Sequence, residues 1–254
     1  MLKLAFYGKG GIGKSTTVCN IAVALAEKGL RVMQIGCDPK ADSTSALLNG
    51  RKAVPVLELI RSKNDAFEWQ EMVFAGAENI FCVEAGGPVP GMGCAGRGII
   101  NALEKLESKG VYAAIKPDVV LYDVLGDVVC GGFAMPMRKG YADKVYIITS
   151  GENMSVYAAA NIAMALKNFE NRNYAALGGF ILNRRNVKDE EAKVKTLAED
   201  FNSSITGTLS RSAVVADAEE LHQTVLQAFP DSAMAAEYRL LAENILKDAE
   251  SVKC

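Results

Sequence analysis

The sequence predicts a single α/β domain spanning residues 1–254, with a mostly parallel sheet covered by helices on both faces and a phosphate-binding loop after its first strand. Three observations carry this prediction. Apolar strand-like runs and helix-period segments alternate along the chain, the pattern of a parallel sheet with crossover helices. Between the first strand and the first helix lies Gly8-Lys9-Gly10-Gly11-Ile12-Gly13-Lys14-Ser15-Thr16, which fills the G-x-x-x-x-G-K-[ST] pattern of a P-loop in the strand–turn–helix context it needs. The glycine-bearing and acidic stretches all follow strands, which places them beyond the carboxyl ends of the strands, where ligands bind in such sheets.

Taken in order, Leu2–Tyr7 is an apolar strand, and Val18, Ile21, Ala22 and Leu25 give the next segment a helical period. Arg31–Ile35 reads as a second strand ending at Gly36, followed by the polar loop Cys37-Asp38-Pro39-Lys40-Ala41-Asp42-Ser43-Thr44. Val56–Ile60 suggests a short helix and Ile80–Val83 a buried strand. Gly86–Gly98 is rich in glycine and proline and precedes a helix from Ile99 to about Ser108. Pro117 introduces the strand Val119–Tyr122, and Asp123–Met137 forms a second long glycine-bearing loop. Strands at Lys144–Thr149 and Gly179–Leu182 continue the alternation, with helices near Met154–Phe169, Lys188–Phe201 and Ser232–Ala249. No repeat, low-complexity tract or linker interrupts the chain.

The P-loop is the most specific signal. Its glycines let successive backbone N–H groups face phosphate oxygens, and the following helix adds the positive end of its dipole. Lys14 belongs on the β- and γ-phosphates and the Ser15 hydroxyl on Mg²⁺. Lys9 is a second lysine, just after the first glycine. It is either a solvated loop side chain or a cation for a phosphate held by a facing subunit. Asp123 closes an apolar strand, where a carboxylate can hold a water on Mg²⁺, and Asp127 lies four residues on, within reach of attacking water. Asp38 and Asp42 sit in a loop facing the same end. Loops of this kind act as switches ordered by the γ-phosphate.

The six cysteines are Cys19, Cys37, Cys82, Cys94, Cys130 and Cys254; in a long chain without export signals they do not read as a disulfide framework. Cys94 and Cys130 stand among glycines, which permit close backbone approach to an inorganic cluster. Two thiolates cannot complete the four-cysteine shell of a [4Fe–4S] cluster, but a two-fold dimer with the cluster on its axis supplies four. The alternative is two unrelated loop cysteines. Cys19 and Cys82 fall within a helix and a strand and read as core residues. The single histidine, His222, leaves little material for a zinc site or a Ser-His-Asp triad.

Net charge is −2 and half of the residues are apolar, an ordinary balance for a soluble domain and a poor one for broad nucleic-acid binding. No run is long enough to span a bilayer. The N-terminus enters a strand directly, with no signal-peptide pattern, so the expected location is cytoplasmic, with neither nucleic acid nor membrane as partner.

GKGGIGKSTT resembles the deviant Walker A loop of the family that holds nitrogenase iron proteins, partition ATPases and septum-site ATPases. With GCDPKADST, CVEAGGPVPGMGCAGRG and DVLGDVVCGGFAMP the resemblance narrows to the nitrogenase iron protein family, which includes the reductase components of nitrogenase-like enzymes. It runs from Leu2 to about Asn183 and returns at Ala236-Glu237-Tyr238-Arg239. The resemblance implies a homodimer that binds MgATP or MgADP, shares one [4Fe–4S] cluster through Cys94 and Cys130, and passes single electrons to a separate nitrogenase-like catalytic protein. A low-potential ferredoxin or flavodoxin would supply the electrons. It further implies that Gly8 through Thr16 hold the nucleotide, that Lys9 reaches the nucleotide of the opposite subunit, and that Asp127 activates water. Asp38, Asp42 and Asp123 would shape the Mg²⁺ site and switches, with Lys9, Asp38 and Asp127 as the catalytic set. Asn183 would contact adenine, and Arg97 would be the exposed arginine that meets the partner.

Two departures stand out. Ser210-Arg211-Ser212-Ala213 replaces the acidic residue and asparagine of the family's adenine pocket, and the sequence ends soon after Arg239. Both favour a nitrogenase-like reductase whose final substrate is not dinitrogen. An iron–sulfur scaffold or carrier remains an alternative. A partition or positioning ATPase is a weaker one, because Ala242–Cys254 sets Lys247 and Lys253 against Glu243, Asp248 and Glu250 rather than forming a basic amphipathic helix.

Overall fold

The fold is described from a computed structural model, which covers residues 1–77, 79–87, 95–126, 135–138, 140–169 and 174–250. Cys94, Asp127, Cys130 and Cys254 therefore lie outside the described residues. The strands are β1 (Leu2–Tyr7), β2 (Val32–Gly36), β3 (Phe74–Ala75), β4 (Ile80–Glu84), β5 (Val119–Asp123), β6 (Lys144–Thr149), β7 (Ala176–Asn183) and β8 (Ile205–Leu209). The helices are α1 (Lys14–Glu27), α2 (Val56–Lys63), α3 (Ala95–Ser108), α4 (Val111–Ile115), α5 (Asn153–Phe169), α6 (Glu190–Asp200), α7 (Ala213–Glu220), α8 (Val225–Ala228) and α9 (Ala233–Glu250).

The strands form one sheet in the order β3-β4-β2-β5-β1-β6-β7-β8, parallel throughout except for the antiparallel β3 at one edge. Alternation along each strand divides the apolar side chains between two cores. Leu4 and Phe6 of β1 join Val119 and Leu121 of β5 beneath α1, α8 and α9. Ala5 and Tyr7 join Val120 and Tyr122 on the opposite face, beneath α2, α3, α5 and α6. The central strands are buried on both faces, so they read as continuous apolar runs.

Sequence and structure agree on β1 and β6 to the residue. β8 is different: its residues ITGTL are mostly half-buried, and a glycine between two threonines gives the strand pattern little to work with. The short helices α4, α7 and α8 and the two-residue β3 carry no clear period for the same reason of length. Helix α3 begins at Ala95 rather than Ile99, so Gly96 and Gly98 are helical. A Cβ on Gly98 would lie 2.7 Å from Leu57 Cδ1, so the close packing of α2 against α3 favours glycine despite its poor helix propensity.

The register places Gly36 of β2 between Glu84 of β4 and Asp123 of β5. These three residues form a row at the carboxyl edge of the sheet. The chain toward Cys94 and the chain toward Asp127 and Cys130 both leave from this row, on either side of β2.

Candidate nucleotide site

The P-loop leaves β1 and turns into α1, whose N-cap is Gly13 with φ 88°. Lys14 is 7% exposed, and its Nζ pairs with Oδ1 of fully buried Asp123. Oδ2 of the same carboxylate accepts a hydrogen bond from the Ser43 hydroxyl at 2.5 Å. Ser43 is fixed in turn: its carbonyl accepts from the Cys19 thiol at 3.0 Å and from Gln34 Nε2 at 3.2 Å. One chain of contacts thus joins the P-loop, the end of β5 and the loop after β2. Charge-assisted bonds among buried groups are the strong ones, so Lys14, Asp123 and Ser43 are tightly tied to one another.

The remaining predicted residues surround a cleft of about 580 Å³, within the usual range for a small-molecule site. Lys9, Gly10 and Gly11 are exposed at its mouth, Ile12 is buried, and Ser15 and Thr16 are half-buried on its floor. Gly8 is buried behind them. Asp38 is half-buried and accepts from the Lys40 backbone N–H at 2.8 Å, a turn that shapes the loop. Asp42 is exposed and also lines the cleft. Asn183 donates its Nδ2 to the Ile12 carbonyl at 2.7 Å, so in this conformation it supports the P-loop from the end of β7. The donor set suits MgATP: an ammonium, a hydroxyl, backbone amides at a helix start, and carboxylates, the oxygen ligands Mg²⁺ prefers.

Arg184 and Arg185, which the pattern reading does not single out, help complete the cleft, beside residues it names. Arg185 donates to the Gly11 carbonyl at 2.8 Å, and Arg211 to the Arg185 carbonyl at 3.4 Å. The basic pair Arg184-Arg185, immediately past a strand that ends beside a P-loop, is a signal that could have pointed there. Ser210, Arg211 and Ser212 line the cleft where the family pattern departs, and Tyr238 joins them from α9. Ser210 donates its backbone N–H to Glu237 at 2.7 Å, and the Ser212 hydroxyl caps α7.

Cys19, Cys37 and Cys82 are buried. Burial pushes the Cys19 thiol up to about 12, opposed by the Gln34 hydrogen bond, and raises Cys37 and Cys82 as well. Thiols so raised stay protonated at neutral pH and are poor nucleophiles. Among the described residues no group of three or more metal-ligating side chains is assembled. His222 is exposed. Arg97 is exposed on α3.

A deviant P-loop on this sheet defines the fold class: the single-domain P-loop fold, shared with the cell division ATPase MinD. The MinD structure from Pyrococcus furiosus matches with a TM-score of 0.73 at 17% identity, covering 97% of this chain and 98% of that one. A ParA family ATPase from Chlorobium tepidum matches with a TM-score of 0.71 at 18% identity, covering 95% and 98%. Such similarity shows the fold alone. The family is shown by sequence: the model of the 4Fe-4S iron sulfur cluster binding proteins, NifH/frxC family, matches residues 2–254, and the chain belongs to that family. The nitrogenase iron protein of Methanospirillum hungatei is 50% identical over 255 residues, covering 99% of this chain and 90% of that protein. That of Methanococcus voltae is 48% identical over 252 residues with the same coverage. The protein is thus an ATP-hydrolysing oxidoreductase component that uses a 4Fe–4S cluster and MgATP. Among the described residues no helix is long and apolar enough to cross a membrane.

Proposed function

We propose that two copies of this chain form a single-domain homodimer that holds one [4Fe–4S] cluster through Cys94 and Cys130 of each copy and delivers single electrons to a separate nitrogenase or nitrogenase-like catalytic protein. The observation that carries this reading is the Lys14–Asp123–Ser43 chain at the row Glu84-Gly36-Asp123. In this reading the nucleotide binds at the strand ends from which the sequence runs on to Cys94 and Cys130. When bound, the cluster supplies the one-electron chemistry. The protein binds MgATP with the P-loop and Ser15, orients attacking water with Asp127, and presents Lys9 to the partner copy's nucleotide. Asp38, Asp42 and Asp123 govern the Mg²⁺ site and the switch loops. Because Asp123 opens the segment that reaches Cys130, nucleotide state and cluster environment share one stretch of chain.

Arg97 docks the acceptor, a low-potential ferredoxin or flavodoxin reloads the dimer, and the cycle runs in the cytoplasm without nucleic acid or membrane. In this reading Ser210-Arg211-Ser212 and Tyr238 form the wall near the base, in a pocket that departs from the family pattern.

Purified acceptor proteins of the nitrogenase and nitrogenase-like classes, mixed anaerobically with this protein and dithionite, test the reading. The expected result is acceptor reduction only with MgATP, and its loss in Asp127→Asn despite retained cluster and nucleotide binding. Normal ATP turnover in Asp127→Asn removes that residue from the mechanism. A cluster that leaves the protein for apo-proteins during redox cycling identifies a carrier instead.

A further inference from the structure

Glu84 ends β4, is fully buried, and lies outside the phosphate cleft. Its Oε1 accepts from both the backbone N–H and the hydroxyl of Thr44, each at 2.7 Å. Its Oε2 has no hydrogen-bond partner among the described residues. The carboxyl lies over Gly36, where a Cβ would stand 2.0 Å from Oε2 and 2.6 Å from Ser43 Cβ. Burial lifts this carboxyl to about 7, against the bonds from Thr44, with Asp123 and Asp42 raising it further. A half-satisfied buried acid is costly where an apolar side chain would fit, so its place needs an account.

That account lies in what Glu84 joins. Thr44 follows Ser43, whose hydroxyl donates to Asp123, the partner of Lys14. On the other side, Ala85 donates its N–H to the Gly36 carbonyl at 2.8 Å, and its own carbonyl accepts from Leu57 N–H at 3.1 Å. Leu57 belongs to α2 and packs over Gly98 of α3, the residue after Arg97. The loop after β2 touches this segment again at Pro39, whose Cβ would lie 2.4 Å from a Cβ on Gly87. From Ser43 through Thr44, Glu84 and Ala85 to Leu57 the path is contiguous and buried, and it starts in a loop whose Asp38, Lys40 and Asp42 line the cleft, a contiguous physical network of the kind that can carry coupling.

We propose that Glu84 is a positioning residue that couples the nucleotide-facing loop 38–44 to the end of β4 and, through α2, to the start of α3. It acts as the acceptor that makes Thr44 and β4 move together. Its meaning for electron transfer rests on the function proposed above, since Cys94 lies ten residues beyond Glu84 and Arg97 is on α3; the coupling itself does not.

Hydrogen exchange of the full chain, with and without MgATP, tests it. In the parent, MgATP is expected to slow exchange in residues 38–44, 80–87 and 95–101. Glu84→Met keeps the response in 38–44 and shrinks the response in the other two stretches by about fivefold or more, the lower end of an allosteric coupling. Glu84→Gln keeps an acceptor for Thr44 and the parent behaviour, which a role in charge would not predict, and the loss in Glu84→Met, a side chain of similar volume without that acceptor, is what a role in bulk packing would not predict. Thr44→Val removes one of the two donors and gives a smaller loss, and it carries the test alone if Glu84→Met does not fold. A parent without a response in 95–101, or an undiminished response in Glu84→Met or in Thr44→Val, overturns the proposal. Absence of a cluster would overturn the proposed function and leave this experiment intact.

Discussion

Lys14→Met is the perturbation that the site resolves best. It removes the ammonium while keeping most of the side-chain stem, and leaves fully buried Asp123 with the Ser43 hydroxyl as its remaining contact in the chain just described. Breaking a buried ion pair by deleting one partner costs about 3–5 kcal/mol, because the other charge stays buried without compensation. For a chain of this length that corresponds to a fall in melting temperature of about 6–20 °C. The double variant Lys14→Met/Asp123→Asn removes both charges and should recover much of the loss, with an interaction energy toward the upper end of the roughly 0.5–3 kcal/mol seen for contacting residues. The assay is urea denaturation of nucleotide-free protein at one fixed concentration, followed by circular dichroism. A single-variant cost below about 1 kcal/mol, as for an exposed pair, with additive effects in the cycle, would refute the claim that this pair anchors the P-loop to β5.

Three further outcomes follow from the same geometry. Gly126→Ala places a Cβ 1.9 Å from the Gly8 carbonyl oxygen and 2.8 Å from the Lys9 nitrogen; with only backbone in the way, the two loops must separate. Phosphate release is expected to fall by about a hundredfold, the scale of a 1 Å misplacement, and parent-like turnover would contradict it. The Glu84 carboxyl, at about 7 rather than the ordinary 4.5, is held more tightly with its proton in the folded chain than in the unfolded one. Its contribution is fully present below pH 4.5 and lost as pH rises through 7, at most about 3 kcal/mol, so Glu84→Gln should flatten the decline in urea midpoint between pH 5 and pH 8. In cluster-free protein, iodoacetamide at mildly alkaline pH should label Cys94 and Cys130 and spare Cys19, Cys37 and Cys82, as read by peptide mass spectrometry; rapid labelling of Cys37 would contradict its burial.

Much of the fold is legible in the sequence because its central strands are buried on both faces and its long helices carry a full apolar period. β1 and β6 illustrate this, whereas β8, half-buried, and α7, mostly exposed, are short and carry little pattern of their own. In the site, the P-loop and Asp123 stand out in the sequence because a glycine-rich strand–turn–helix pattern and an aspartate closing an apolar strand are local signals, and the structure brings the two together. Asn183 is singled out only through family resemblance, and what the structure shows of it is a bond to the Ile12 carbonyl that no pattern carries. Gln34, Glu84 and Arg185 act through contacts across 9, 40 and 174 positions of sequence, and such pairings appear only once the sheet order brings the segments together.

The most direct test of the central claim is iron, sulfide and electron paramagnetic resonance analysis of anaerobically purified, dithionite-reduced protein with and without MgATP. The account predicts about four irons per pair of chains and a reduced-cluster signal that changes with MgATP and survives redox cycling. Protein that holds no cluster after anaerobic reconstitution, and behaves identically as Cys94→Ser and Cys130→Ser, would contradict it.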